Sequence, residues 1–183
     1  MNKKNLKERA EILSQLVILA STIYKKDNIS EGQRGLLETI IGAGIWYLPS
    51  SIDLYSGYIS NAALESLESD PHNTKLVEEH SFPRKLAAEM LLKLEVVEKL
   101  ISNNEHLEEL YQNKFGRFNL VLKSENDKLK KFQKKSVFVN EDKAYQLAGI
   151  KLTAFSKERY QEFKRNKSSH QRKKNKKDQL DTI

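Results

Sequence analysis

The sequence predicts a mainly helical α+β protein that contains one small ββα hairpin. Apolar side chains recur at helical spacing over residues 3–25, 31–40 and 85–101. Two short segments, residues 75–80 and 118–123, are predicted to be strands, and the second alternates apolar side chains with a period of two. A helix-start signal follows the second strand directly. This order of elements predicts the hairpin.

The composition limits the class of protein. At 183 residues, with 38% hydrophobic and 31% charged side chains, the chain is long enough for one domain with its own core. It has no run of about 18 apolar residues, so no transmembrane helix and no membrane partner are expected. The absence of cysteine excludes disulfides and Cys-ligated zinc, which favours a reducing cytoplasm. The net charge of +7 favours a polyanionic partner.

Residues 1–70 are predicted to be an N-terminal helical region. Ser30 and Gln33 form a capping box at the start of the second helix, and Ser60 is predicted to cap a short third helix. Trp46, Tyr47 and Tyr55 are interpreted as core or lid aromatics rather than as base-stacking platforms. The apolar residues of the first helix are Leu6, Ala10, Leu13, Leu16, Val17, Ala20, Ile23 and Tyr24.

Residues 71–155 contain both predicted strands, with helices inserted between them. Lys85 to Ile101 is predicted to be one helix, and Ser124 is the predicted N-cap of the helix after the second strand. Residues 156–183 are predicted to hold the end of a helix and a basic tail. Residues 164–177 contain no acid and no large apolar side chain, so this segment is expected to be a disordered phosphate anchor or simply a solvated end.

Glu79 and His80 stand at the end of the first predicted strand, and Pro83 follows three residues later. Hydrolysis of a phosphodiester needs a base for water and a cation for the developing charge. His80 is the candidate base because histidine titrates near neutral pH, and Glu79 is a candidate metal ligand. Adjacent strand residues point to opposite faces, so both can reach one phosphate only if the backbone deviates, which Pro83 would favour.

Asn126 lies in the first turn of the helix after the second strand, where its amide oxygen is a candidate ligand for the same ion. Oxygen and imidazole ligands favour Mg²⁺ or Mn²⁺. Glu125 is a reserve ligand, although its charge is also favourable at a helix start. Lys128 and Lys131 add positive charge nearby.

Two segments carry a resemblance to a known family, namely Glu79-His80-x-x-Pro83 and Asn119-Leu-Val-Leu122 followed by Ser124-Glu125-Asn126. In these residues the chain resembles the HNH nucleases of the His-Me finger (ββα-metal) class, with Glu79 in place of the usual Asp. The resemblance implies metal-dependent cleavage of DNA, with His80 as general base and Glu79 and Asn126 on the metal. It also implies that Asn119 supports the loop of the histidine, and it suggests a small phage or bacterial protein.

The predicted function is therefore a metal-dependent endonuclease that acts on DNA, with RNA as an open alternative and a homodimer left open. Two other interpretations stand beside it. One is a nucleic-acid-binding protein without catalysis, and the other is an interaction protein that uses the Leu6–Tyr24 helix face. The residues predicted to contact nucleic acid are Arg84, Lys128, Lys131, Lys164, Arg165, Arg172, Lys173 and Lys174.

Overall fold

The computed structural model describes residues 3–103 and 105–167. This part of the chain combines helices with one four-stranded mixed sheet, which confirms the α+β class. The helices are α1 (Lys3–Tyr24), α2 (Glu31–Trp46), α3 (Asn61–Ser69), α4 (Arg84–Leu91), α5 (Leu94–Ser102), α6 (His106–Leu110), α7 (Lys123–Phe132) and α8 (Glu141–Leu147), and residues 157–167 are helical as α9. The strands are β1 (Tyr55–Ser60), β2 (Leu76–His80), β3 (Phe118–Leu122) and β4 (Leu152–Ala154).

The strands lie in the order β2-β3-β1-β4. β1 runs parallel to β3, whereas β2 is antiparallel to β3 and β4 is antiparallel to β1. The sequence analysis did not predict β1 or β4. β1 belongs to the predicted region 1–70 and pairs with strands of the region 71–155, so the sheet joins the two regions.

The predicted features of the N-terminal helices are confirmed at three positions. α1 spans almost the whole predicted segment, the capping box between Ser30 and Gln33 starts α2, and the Ser60 side chain caps α3. Most of the Leu6–Tyr24 face packs on the protein's own core, which leaves less of it for the partner considered in the alternative interpretation. Leu6, Ala10, Leu13 and Val17 are buried in the protein's own core, whereas Leu16 and Ile23 are exposed elsewhere on the helix.

The single helix predicted from Lys85 to Ile101 is wrong, because α4 and α5 are separate. The chain breaks at Lys93, whose backbone is extended. At 100° per residue, the buried side chains of α4 and those of α5 would lie on opposite sides of one straight helix. The break lets both sets face the core. These side chains are Ala87, Ala88 and Leu91 in α4 and Val96, Val97 and Leu100 in α5.

Ser124 is not an N-cap, since α7 begins one residue earlier and Leu122 occupies the cap position. The carboxylate of Glu125 takes over the capping role by accepting hydrogen bonds from the Leu122 backbone N–H and the Ser60 hydroxyl. Glu125 is buried as a result, which explains why it, rather than the exposed Ser124, sets the start of the helix.

The predicted disordered tail begins too early. α9 continues to residue 167, and Lys164 within it forms an ion pair with Glu78 at 2.6 Å. Lys167 donates a hydrogen bond to the carbonyl of Thr74. The remainder of the predicted tail, which includes Arg172, Lys173 and Lys174, lies outside the described residues.

Two apolar clusters pack on opposite faces of the β2–β3 pair. The main core contains Phe118 and Leu120 of β3 together with α1, α2, α4 and α5. The smaller cluster contains Val121 of β3 with Leu129 of α7 and residues of α8. Side chains of neighbouring strand residues therefore enter different surroundings, and this alternation determines the site described next.

Candidate active site

β2 and β3 pair in regular register around the predicted catalytic residues. Glu79 lies opposite Asn119 and His80 lies opposite Phe118, so both residues belong to the regular part of β2. Their side chains consequently point to opposite faces of the sheet. The expected backbone deviation is absent at this pair, and Pro83 instead occupies the N-cap position of α4.

Glu79 faces the smaller cluster, where it is 3% exposed and fully engaged. One carboxylate oxygen accepts a hydrogen bond from the Tyr145 hydroxyl, and the other accepts one from the Gln133 side chain. Asn119 donates to the Tyr145 hydroxyl at 2.8 Å and accepts a hydrogen bond from Ser56. Burial raises the pKa of the Glu79 carboxyl, although the bonds from Tyr145 and Gln133 oppose this shift.

Among the described residues, Asn126 makes no hydrogen bond to Glu79, Tyr145 or Asn119. The residue of the α7 segment that bonds Glu79 is Gln133, which lies seven positions farther along and directly after the helix. Seven residues correspond to about 10 Å along a helix. The predicted metal ligands Glu79 and Asn126 are therefore not brought together, and Glu79 faces away from His80.

The residues present do not fit a divalent ion at the predicted position. Both oxygens of Glu79 already accept hydrogen bonds from side chains. The carboxylate of the reserve ligand Glu125 is engaged as well, with the Ser60 hydroxyl and the Leu122 backbone N–H. In residues 3–103 and 105–167, no group of three or more His, Asp or Glu side chains is placed to hold a metal. The requirement for Mg²⁺ or Mn²⁺ stays a prediction.

His80 lines a cleft of about 320 Å³ on the other face of the sheet. The cleft lies between the end of α2, the start of α4 and the π-helical turn Tyr111–Phe115. Its polar side chains include Ser50, Glu78 and Arg84, and the Trp46 ring meets the His80 ring with centroids 5.4 Å apart. The Arg84 guanidinium lies 4.3 Å from the centre of the Trp46 ring. Histidine, arginine and an aromatic surface thus share one opening.

Burial favours the neutral form of the His80 imidazole. It lowers the pKa of His80 below the ordinary histidine value, while the charge of Glu78 and the backbone of Gly116 oppose this shift and the nearby Arg84 adds to it. The Nδ1 atom is shielded from solvent and has no hydrogen-bond partner among the residues that the structure describes. Leaving such a nitrogen unsatisfied costs about 1–3 kcal/mol. The cleft is therefore lined by an imidazole whose neutral form burial favours.

Glu78 lies on the same face as His80, and its negative charge is balanced by an ion pair with Lys164. Its carboxylate accepts hydrogen bonds from Tyr160 and Lys164, each at 2.6 Å, and a longer one of 3.4 Å from Ser50. Burial raises the pKa of Glu78, but the bonds from Lys164 and Tyr160 outweigh burial and lower it overall. Glu78 is therefore a fixed anion paired with a cation and not a second base.

The predicted nucleic-acid contacts are distributed over several surfaces. Arg84 lies in the cleft, and Lys164 is paired with Glu78 at its edge. Lys128 and Lys131 are exposed on α7, which covers the opposite face of the β2–β3 pair. Arg165 lies on α9 and is exposed. Arg84 is thus the predicted cation that the structure places beside His80.

Sequence reasoning missed Tyr145, Gln133 and Trp46 as parts of these surroundings. Tyr145 and Gln133 are 66 and 54 residues from Glu79 in the sequence. Because these contacts are so distant in sequence, no local pattern predicts them. Trp46 is 55% exposed at the cleft, whereas Tyr55 is buried. No feature of the sequence distinguishes the exposed aromatic residue from the buried one.

Comparison with protein-family models, with curated proteins and with solved structures found no match for this chain. Within the described residues, no helix has both the length and the apolar character needed to span a membrane.

Proposed function

We propose that the protein hydrolyses phosphodiester bonds of nucleic acid in the cleft, with His80 as the general base. The observation that carries this proposal is that His80, whose neutral form burial favours, lines the same cleft as the Arg84 guanidinium. A base must be unprotonated at the working pH, and the lowered pKa of His80 meets this condition. The net charge of +7 favours a polyanionic substrate.

In this mechanism each cleft residue has a separate task. The His80 imidazole takes a proton from the attacking water, whose oxygen forms a new P–O bond while the P–O bond to the leaving nucleotide breaks. The leaving oxygen takes up a proton from solvent, and the Arg84 guanidinium offsets negative charge on the phosphoryl oxygens. Trp46 offers an aromatic surface on which a nucleotide base can stack, because its ring is half exposed at the opening. Glu78 and Lys164 form a fixed ion pair at the edge of the cleft.

The HNH interpretation is supported by the order of the secondary-structure elements, and not by the positions of the predicted metal ligands. An antiparallel pair, β2 and β3, is followed at once by α7, as in a ββα hairpin. A metal ion in that family supplies charge stabilisation at the phosphate, but Glu79 and Asn126 do not converge on the His80 cleft. The proposed mechanism therefore assigns no step to Glu79 or Asn126.

Cleavage assays test the proposal directly. Supercoiled plasmid, labelled single-stranded DNA and labelled RNA are incubated with the protein in Mg²⁺, in Mn²⁺ and in EDTA. We expect cleavage of at least one substrate, and none by His80→Gln purified in the same way as a control for contaminating nucleases. Equal cleavage by both proteins, or none by either, would refute the proposed activity. Activity that persists in EDTA would show that no metal is needed.

A second candidate function is nucleic-acid binding without catalysis. It is favoured by the engagement of Glu79 in a complete hydrogen-bond network, which leaves the predicted metal site unassembled. In this case gel shifts in EDTA should show binding, and no substrate should be cut. Removal of residues 168–183 should weaken binding and flatten its salt dependence, since these residues carry most of the basic run. The truncation should leave Lys164 and Lys167 in place, because both make contacts in the fold.

A further inference from the structure

α1 is apolar on two separate sides. One side, with Leu6, Leu13 and Val17, is buried in the main core at 0–4% exposure. The other side consists of Ile12, Leu16, Leu19 and Ile23, which are 47–65% exposed. At 100° per residue the two sets are centred roughly 110° apart on the helix. A helix that needed only to cover its own core would carry polar residues at the second set.

α2 continues this exposed surface. Leu36 and Ile40 are 60% and 52% exposed, while the opposite side of α2 buries Ile41 and Ile45 in the same core that α1 covers. The two helices pack side by side in opposite directions, with Leu13 of α1 against Gly44 near the end of α2. The outer face is defined here as Ile12, Leu16, Leu19, Ile23, Leu36 and Ile40.

The outer face is large for a surface that stays in water. Its exposed fractions amount to roughly 600 Å², at the upper limit of the largest patches found on monomeric proteins. Tyr47, which is 73% exposed directly after α2, extends it. With a rim of polar residues, this surface approaches the ~800 Å² that each partner contributes to an interface of standard size.

We infer that the outer face is the interface of a homodimer, in which α1 of one copy packs antiparallel to α1 of the second copy. This inference is independent of the proposed hydrolase function. A two-fold axis would pass between Leu16 and Leu19, so that Ile12 of each copy meets Ile23 of the other. Such an interface is closed and self-complementary, which the symmetric spacing of the four α1 side chains allows.

The charges around the outer face favour this antiparallel arrangement. Glu11 lies at the beginning of the apolar set in α1, and Lys25 and Lys26 follow its end. Antiparallel pairing brings the acid of one copy toward the lysines of the other, on both sides of the axis. Two basic side chains at the beginning of α1 are engaged within the chain, since Lys7 pairs with Glu105 and Arg9 donates to the carbonyl of Tyr47.

The rest of the sequence offers no segment that suits the outer face. Residues 168–183 contain only Leu180 and Ile183 as large apolar side chains, beside six lysines, arginines and histidines over the same stretch. Two apolar side chains cannot cover six. A second copy of the chain supplies a matching apolar surface of equal size.

Sedimentation of the full-length protein over a range of concentrations tests the inference. We expect a monomer–dimer equilibrium, and the double variant Leu16→Glu, Leu19→Glu should raise the dimer dissociation constant at least about 100-fold. Circular dichroism should be unchanged, because both side chains are exposed in the monomer. The matched control is Leu147→Glu, at a residue 49% exposed on α8, which should still dimerise. A wild-type monomer at all concentrations overturns the inference, even if the outer face then binds lipid vesicles.

Cysteine crosslinking tests the antiparallel arrangement, because the chain contains no cysteine of its own. The variant with both Ile12→Cys and Ile23→Cys should form a disulfide-linked dimer on mild oxidation. Either substitution alone should not, since equal positions in antiparallel helices would lie about 16 Å apart along the axis. Crosslinking by each single variant, with none added by the pair, would contradict the arrangement.

Discussion

Glu79 and His80 are neighbours in the sequence, but the two faces of the β2–β3 pair give them different surroundings. On the α7 side, Glu79 is buried and both of its carboxylate oxygens accept hydrogen bonds from side chains. On the cleft side, His80 is half-buried, and its Nδ1 has no partner among the described residues. A satisfied buried network stabilises one arrangement of the fold, whereas a titratable ring that lines a cleft beside an arginine is suited to a ligand. The comparison supports a structural role for Glu79 and the proposed catalytic role for His80.

The largest effect is expected from His80→Ala. Removal of a general base should reduce the cleavage rate by about 10²–10⁴-fold. The free energy of unfolding should change by no more than about 1–2 kcal/mol, since the loss of ring contacts with Trp46 and Phe118 is offset by removal of a buried nitrogen that lacks a partner. Paired measurements of cleavage and thermal unfolding check both statements. A His80→Ala protein that is folded and cleaves at the wild-type rate would remove His80 from the mechanism.

Glu79→Ala should act on the fold instead of on the chemistry. It leaves Tyr145 and Gln133 without their acceptor in a buried place, which should cost about 2–4 kcal/mol of unfolding free energy. Glu79→Gln should cost less, because it keeps an acceptor for Tyr145 and removes a charge that burial disfavours. Urea unfolding measures both values. If Glu79→Gln retains stability but loses all cleavage, Glu79 has a catalytic role that this assignment denies.

The smallest effects are expected at the start of α7. Ser124 is exposed and does not cap the helix, so Ser124→Ala should change the unfolding free energy by no more than about 0.5 kcal/mol. Asn126→Ala should be similarly mild in stability and should leave the dependence of cleavage on Mg²⁺ unchanged. An increased Mg²⁺ requirement in Asn126→Ala, but not in Ser124→Ala, would restore Asn126 as a metal ligand.

Local signals in the sequence were sufficient for much of the fold. α1 and β3 were predicted from the periodicity of their apolar residues, and the caps at Ser30 and Ser60 were predicted from short-range side-chain chemistry. The break between α4 and α5 was missed because it depends on where the core lies relative to each helix. The order of apolar residues along the sequence does not give that position. β1 was missed because Ser56 and Gly57 interrupt its apolar residues, and its strand conformation depends on pairing with β3 and β4.

The candidate site was predictable only in part, because it also depends on strand pairing and tertiary packing. The sequence identified His80 as a titratable group next to Pro83, and the structure places it in a cleft. Glu79 and His80 point to opposite faces because β2 pairs with β3 in regular register. The sequence analysis expected an irregular backbone at this position. The partners of Glu79 come from the region after α7 and from α8, and their approach is a property of tertiary packing.

The most direct test of the account is the NMR titration of the His80 ring, assigned by comparison with His80→Gln. Its pKa should lie below the ordinary value for histidine, because burial favours the neutral imidazole. A nuclease-resistant oligonucleotide with a phosphorothioate backbone should raise that pKa, since a bound anion stabilises the imidazolium. The unfolding free energy should fall as the pH drops below about 6.5, where the unfolded chain binds a proton that folded His80 does not accept. A ring that titrates at the ordinary value and does not respond to the oligonucleotide would contradict the assignment of the cleft as the active site.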